Sequence, residues 1–309
     1  MAKRFWRKLA ILAKIETTYG TDAVPTGVAN AILMTNVTHK TMVGERLQRE
    51  LLVPWMGHQG VILSDHVSTL EGSVEIAGSG AAGTAPAYGP LLRMCGMAET
   101  IEVATSVEYA PVSGAFEAGS IYFNLDGVRK IMLGVRGTWS LELVPQQIPR
   151  YRFSFTGLLG TLSDTALPAV TLTAFKKPVI VSKDNTTISL HGSPVIAERF
   201  SLDLAASVEK RLLIGENSVQ ITDRQATGSI VVEAGTLAEK NWYAIAKAHT
   251  TGVLAAVHGV TAGNIVTIGA PAVQIAEPDD GQTQGIINNT LPLLFTDPDG
   301  SGDLTITIT

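Results

Sequence analysis

A single cysteine, Cys95, occurs in 309 residues. That excludes a disulfide within the chain and leaves too few thiolates for an ordinary structural zinc site. Charge is sparse as well. Asp, Glu, Lys and Arg make up 17% of the residues, against ~25% in average soluble proteins. The balance is acidic, −5 with a pI of about 5.7, so the chain has no global basic surface of the kind that holds nucleic acid by neutralising phosphates. No apolar run approaches a membrane span. The basic start MAKRFWRKLAILAK offers only Leu9 to Ala13 as an apolar stretch before Lys14, too short for the core of a secretory signal. The expectation is a protein made, and at first kept, in a cytoplasm.

Catalytic and metal motifs are equally scarce. The histidines His39, His58, His66, His191, His249 and His258 show neither HExxH nor a paired helical spacing. AGSGAAG at 77–83 lies between a strand and a helix but lacks the Lys-Ser/Thr of a phosphate loop and the order of a dinucleotide site, so it reads as a flexible connection. DPDGSGD at 297–303 resembles the start of a calcium loop. Its twelfth position would be Ile308 rather than a bidentate acid, so a tight turn is expected. The sequons at Asn36, Asn185 and Asn288 carry no weight without secretion. No Ser/His/Asp arrangement follows from spacing, and neither a cofactor nor a metal is expected.

What the chain does have is glycine, small polar residues and a repeat. GSVEIAGSGAAGTAPAYGPLLRMCG at 72–96 returns in layout as GSIVVEAGTLAEKNWYAIAKAHTTG at 228–252. Each copy opens with an alternating strand, Val74 and Ile76 in the first, Ile230 and Val232 in the second. A helix should follow, starting near Thr84 in one and at the Thr236/Glu239 capping-box spacing in the other. Tyr88, Leu91, Leu92 and Cys95 form one apolar stripe, and Trp242, Ile245, Ala246 and His249 the other. The buried stripe makes Cys95 a core residue rather than a nucleophile. Gly96 and Gly252 suit the left-handed position that ends a helix, while Gly89 and Pro90 weaken the first helix. Upstream, ERLQRELL at 45–52 is loosely echoed by VEKRLL at 208–213. Two related domains in tandem are expected.

Residues 1–30 read as an extended arm on account of Gly20, Asp22, Pro25 and Gly27. A first domain over 31–165 contains a long loop near Pro54 and Gly57. It also contains a hairpin at Asp126-Gly127, where glycine accepts the positive φ of a type I′ turn. Trp139, Leu141 and Leu143, then Tyr151, Phe153 and Phe155, alternate with polar residues. A second domain over 166–309 repeats the pattern with Phe200, Leu202 and Leu204. The fold class is mainly β, with one helix covering a sheet in each domain.

The opening LAKIETTYGTDAVPTGVANAIL, the block DGVRKIMLGVRGTWSLELVPQQIPRYRFSFTGLLG and the strand-then-helix layout resemble major tail tube proteins of long-tailed, non-contractile bacteriophages, particularly those of transposable Pseudomonas phages. The resemblance covers most of residues 1–165. It implies tail-tube-type β-sandwich domains, each flanked by a helix, whose inner sheets join between subunits into an oligomeric β-barrel, with rings stacking into a tube in the virion tail. Two tube domains in one chain imply trimeric rings with pseudo-sixfold symmetry. The implied partners are other copies of the chain, a tape measure protein, tail terminator and distal tail or tip proteins, and DNA only in transit. No catalytic residues carry over.

On this reading Glu75, Glu142, Asp203 and Glu233 are polar-face strand residues that face either a channel or outer solvent. Phe5, Trp6 and Tyr19 in the arm, Trp55 and His58 in the 45–60 loop, and Asn185 in the 183–192 loop are candidates for ring stacking. The alternative is a β-sandwich binding module, such as a virion decoration or host-adhesion protein.

Overall fold

The computed structural model describes residues 3–297 and 302–309, so the middle of the DPDGSGD turn lies outside the described residues. The first half of the chain supplies β1 (Leu9–Ile15), β2 (Ala31–Ile32), β3 (Thr35–Gln48), β4 (Val61–Glu75), α1 (Gly89–Met94), β5 (Met97–Glu102), β6 (Ser106–Pro111), β7 (Gly119–Leu125), β8 (Val128–Leu143) and β9 (Arg150–Asp164). Residues 165–185 contain neither strand nor helix. The second half supplies β10 (Thr186–Leu190), β11 (Ser193–Val195), β12 (Ala197–Asp203), β13 (Ala206–Leu213), β14 (Glu216–Arg224), β15 (Thr227–Glu233), α2 (Trp242–Lys247), β16 (Thr251–His258), β17 (Val266–Ile275), β18 (Asp279–Thr283), β19 (Ile286–Phe295) and β20 (Thr305–Ile308). The protein is mainly β, and no helix among the described residues is long and apolar enough to cross a membrane.

Antiparallel pairing runs unbroken through eight strands in the order β3-β4-β9-β8-β12-β15-β19-β18. A second run, β5-β6-β20-β17-β16-β10-β11, lies across the core from it. One apolar cluster fills the space between them. It includes Trp139, Leu141, Tyr151, Phe153, Phe155, Phe200, Leu202 and Ile230 from the first run, and Tyr109, Leu254, Ile268 and Ile306 from the second. Those of the first run are residues whose period-two alternation marks them as inward-facing. The Asp126-Gly127 hairpin is present, with φ of +36° and +90° at the two turn residues and Leu125 opposite Val128.

The repeat is visible as topology. In the first half the hairpin β3–β4 receives β9, with β8 beyond it; in the second, β12–β15 receives β19, with β18 beyond it. Gly72 and Gly228 sit at matching points of β4 and β15. The charged echoes at 45–52 and 208–213 both fall where the outgoing strand of a long hairpin ends. That hairpin bends in the second half, where β13 and β14 leave the main sheet to pair with each other.

Several expectations are corrected. Residues 9–15 are not an arm: LAILAKI forms β1, which pairs with β7 and β2 and buries Ile11 and Ala13 in the core. Helix α1 begins at Gly89 rather than near Thr84, because Pro90 lacks an N–H and is tolerated only in a first turn. Glu239 does accept the Thr236 amide at 2.8 Å, but that bond closes a turn. Helix α2 starts later, capped by Asn241, whose side chain accepts the Ala244 amide at 2.9 Å. His249 is exposed and takes the left-handed position itself, with φ +53°. Gly252 lies in β16 instead, where a side chain would strike the His191 ring at 2.5 Å. Much of 183–192 is strand β10 rather than loop. The two halves are joined by strand pairing: β8 pairs with β12, and β20 bridges β17 to β6.

Candidate functional site

The outward face of the eight-stranded run is a polar surface whose rows follow from register, because residues directly opposite share a face. One row reads Glu75, Arg150, Glu142, Ser201, Ser229 across β4, β9, β8, β12 and β15. The next reads Thr35, Ser73, Arg152, Ser140, Asp203, Thr227. A third holds Arg199, Val231, Thr290 and Asp279, and Glu233 lies two residues beyond Val231 on the same side. The four acids singled out in the sequence, Glu75, Glu142, Asp203 and Glu233, therefore share one face.

They do not stand alone there. Arg150 bonds Glu75 at 3.3 Å, Arg152 bonds Glu142 at 3.2 Å, and Arg199 reaches Glu142 from the neighbouring strand at 2.6 Å. The acids still outnumber the arginines once Glu71 and Asp279 are included. The face is a screened mosaic with a negative balance rather than a row of free carboxylates. Arg150 and Arg199 escaped notice because only cross-strand register places them among the acids.

At either end of the run lies an open margin. Among the described residues, β3 pairs only with β4 and β18 only with β19. All five residues of β18 are exposed. Unpaired strand edges of this kind invite pairing with another strand. In the middle, β8 meets β12 through Glu142 opposite Ser201 and Leu141 opposite Leu202. This is where the first four-strand unit joins the second.

The other expected residues are dispersed. Trp55 is 70% exposed in the 49–60 segment between β3 and β4, in company with exposed Leu52 and Met56. His58 there accepts the Gly60 amide at 2.9 Å. Phe5 and Trp6 are exposed, and the Phe5 amide donates to the Asp126 carboxylate at 2.6 Å, rooting the N-terminal segment on the β7–β8 turn. Asn185 is half-buried and donates to the Ile180 carbonyl at 3.1 Å. Tyr19 faces inward, lodged beside Arg136 and Val219, and burial pushes its phenol above the usual range. Arg136 was not anticipated. It is buried and donates to the carbonyls of Val219 at 2.7 Å and Phe116 at 2.8 Å. Cys95 is buried, which raises its thiol well above the ordinary value and keeps it unreactive.

Among the described residues, no three His, Cys, Asp or Glu side chains converge as a metal site would require. What this surface offers is a polar face, two open edges and an exposed apolar hairpin tip. A family model described as phage tail tube protein matches residues 6–307. No curated protein matches the chain.

Proposed function

The chain belongs to the phage tail tube protein family, which makes it a structural protein of the virion tail, and on that premise we propose that it is the repeating subunit of the tube. Copies join their free sheet edges into a ring, rings stack, and the genome passes through the bore at infection. The role is architectural rather than catalytic.

One observation carries this reading: the seam between β8 and β12. The chain contains the same four-strand order twice, and the last strand of the first unit is hydrogen-bonded to the first strand of the second. That leaves a first strand, β3, open at one end and a last strand, β18, open at the other. A head-to-tail contact of this type closes into a ring when the rotation allows, and closure leaves no unpaired edge in that run of strands. Two units per chain make a trimer the ring with pseudo-sixfold symmetry.

The polar face is assigned to the bore. Its acids, Glu75, Glu142, Asp203 and Glu233, repel phosphates at short range while the interleaved arginines limit the field, which suits a conduit that must not retain DNA. The exposed 49–60 tip with Trp55 and His58, and the segment bearing Phe5 and Trp6, are assigned to contact between rings; Tyr19 and Asn185 bond within the chain, to Val219 and Ile180, and are left out of that contact. A tape measure protein inside the tube, and terminator and distal tail or tip proteins at its ends, complete the set of partners.

Negative-stain microscopy of the purified protein tests the proposal. Stacked rings with an axial hole are expected. A monodisperse monomer that binds host polysaccharide would overturn it in favour of a decoration or adhesion module.

A further inference from the structure

We infer that the seam between copies repeats the seam inside the chain, so that Asp279 of one copy lies opposite Thr35 of the next in an antiparallel β18–β3 pair. The inference rests on the ring reading above and adds its register and its residues.

The register follows from the repeat alone. Gly72 and Gly228 are equivalent, as are the strands beside them. Ser73 faces Thr35 on one side and Arg152 on the other; Ser229 faces Ser201 and Pro292. Thr35 therefore corresponds to Ser201, and Arg152 to Pro292. One pair further along, Arg150 corresponds to Thr290. Arg150 faces Glu142, and Thr290 faces Asp279, so Asp279 corresponds to Glu142. Inside the chain Glu142 is opposite Ser201. Between chains the same pair is Asp279 opposite Thr35.

Side-chain direction agrees. Asp279 and Thr35 both belong to the polar face, so their pairing continues that face from copy to copy. Asp280 points the other way and is already engaged, accepting the Tyr243 hydroxyl at 2.5 Å and the Asn289 amide at 2.6 Å. Charge agrees as well. At the inner seam the acid Glu142 is met by Arg199, whose counterpart two residues before Thr35 is the apolar Leu33. The cation is supplied from elsewhere: Lys176, an exposed residue, lines one cavity of about 120 Å³ together with Leu33 and Thr35. An acid arriving on β18 meets that lysine, while Glu75, which lines the same cavity, keeps its own partner Arg150.

Cysteines read out the pairing, since directly opposed strand positions fall within disulfide reach and buried Cys95 is inert. The chain carrying Thr35→Cys and Asp279→Cys, oxidised mildly after assembly, should give a reducible ladder on a gel that stops at three copies. The pair Thr35→Cys with Asp280→Cys, one residue off and facing the opposite side, should link at least tenfold less. The unmodified assembly supplies a second readout. Carbodiimide should couple Asp279 to Lys176, and mixing isotope-labelled with unlabelled protein before assembly should show that link to be between chains. Rings that give neither the disulfide nor the Asp279–Lys176 link, or that link the two cysteine pairs equally, overturn the register while leaving the tube intact. Wild-type protein that forms no rings overturns both.

Discussion

The Tyr19 hydroxyl accepts the Val219 amide at 2.6 Å, joining residues two hundred positions apart in the chain. The Arg136 guanidinium lies 5.0 Å from the centre of the Tyr19 ring and donates to the Val219 carbonyl from the other side. Together they fasten the β13–β14 hairpin to the first half of the molecule.

Removing that fastening has a measurable cost. Arg136→Met leaves the carbonyls of Val219 and Phe116 without their donor, a loss of about 2–4 kcal/mol. Tyr19→Phe removes a single bond, about 1 kcal/mol. Urea unfolding of both variants checks the order, and an Arg136→Met variant as stable as wild type would refute the fastening.

Stability should fall in mild acid. His39 stacks on Phe123 with ring centroids 4.3 Å apart and bonds Ser68 at 3.0 Å; burial, with Lys130 nearby, lowers its pKa to about 4. His191 and His258 are also lowered, chiefly by burial. A histidine held below its unfolded value stabilises the protein fully above about pH 6.5, and that contribution disappears as pH falls toward 4. Melting temperatures across this window should decline, and His39→Phe, which keeps the stack without the titration, should flatten the decline.

Ring stoichiometry follows from the duplication. Three copies of the 32.6 kDa chain give about 98 kDa per ring. Native mass spectrometry of isolated rings should find that mass; six copies would mean that the two halves do not act as equivalent units.

The mosaic of the polar face can be unbalanced deliberately. Glu75→Gln, Glu142→Gln, Asp203→Asn and Glu233→Gln together strip Arg150, Arg152 and Arg199 of their ion-pair partners, leaving Glu71 and Asp279 to oppose them. Tubes of this variant should retain short DNA at low salt and release it as salt rises, whereas wild-type tubes should not hold it. Variant tubes indifferent to DNA would place the face outside the bore.

Exposed apolar side chains at the 49–60 tip should matter between rings and not within them. Leu52→Ser, Trp55→Ser and Met56→Ser, combined, should leave ring mass unchanged and shorten or abolish tubes in micrographs, with little effect on chain stability because these side chains bury little in the monomer.

The legible parts of this molecule were the local ones. Trp139 and Phe153 announced their burial through alternation, and Asp126-Gly127 announced its turn through the backbone freedom of glycine. The twin Gly-Ser strands pointed to the repeated order. Non-local pairing stayed hidden: nothing near Glu142 says that Ser201 will lie opposite it, and nothing in TITIT says that Ile306 will lie opposite Tyr109. Strand β1 was missed because a short apolar run after a basic start carries no period that separates strand from arm. The start of α2 was misplaced because two capping signals, Thr236 with Glu239 and Asn241, compete within six residues, and tertiary packing of Trp242 favours the later one. The face was half legible, its acids visible as polar positions and its arginines placed among them only by the folded register.

Strand β8 gives its first half to the hairpin with β7 and its last residues to β12, so the two units are joined through one hydrogen-bonded strand, which a bulge at Gly134, φ +56°, bends between the two pairings. Flexure of a filament made from such pieces would then divide between the contacts joining molecules and the bend inside each one.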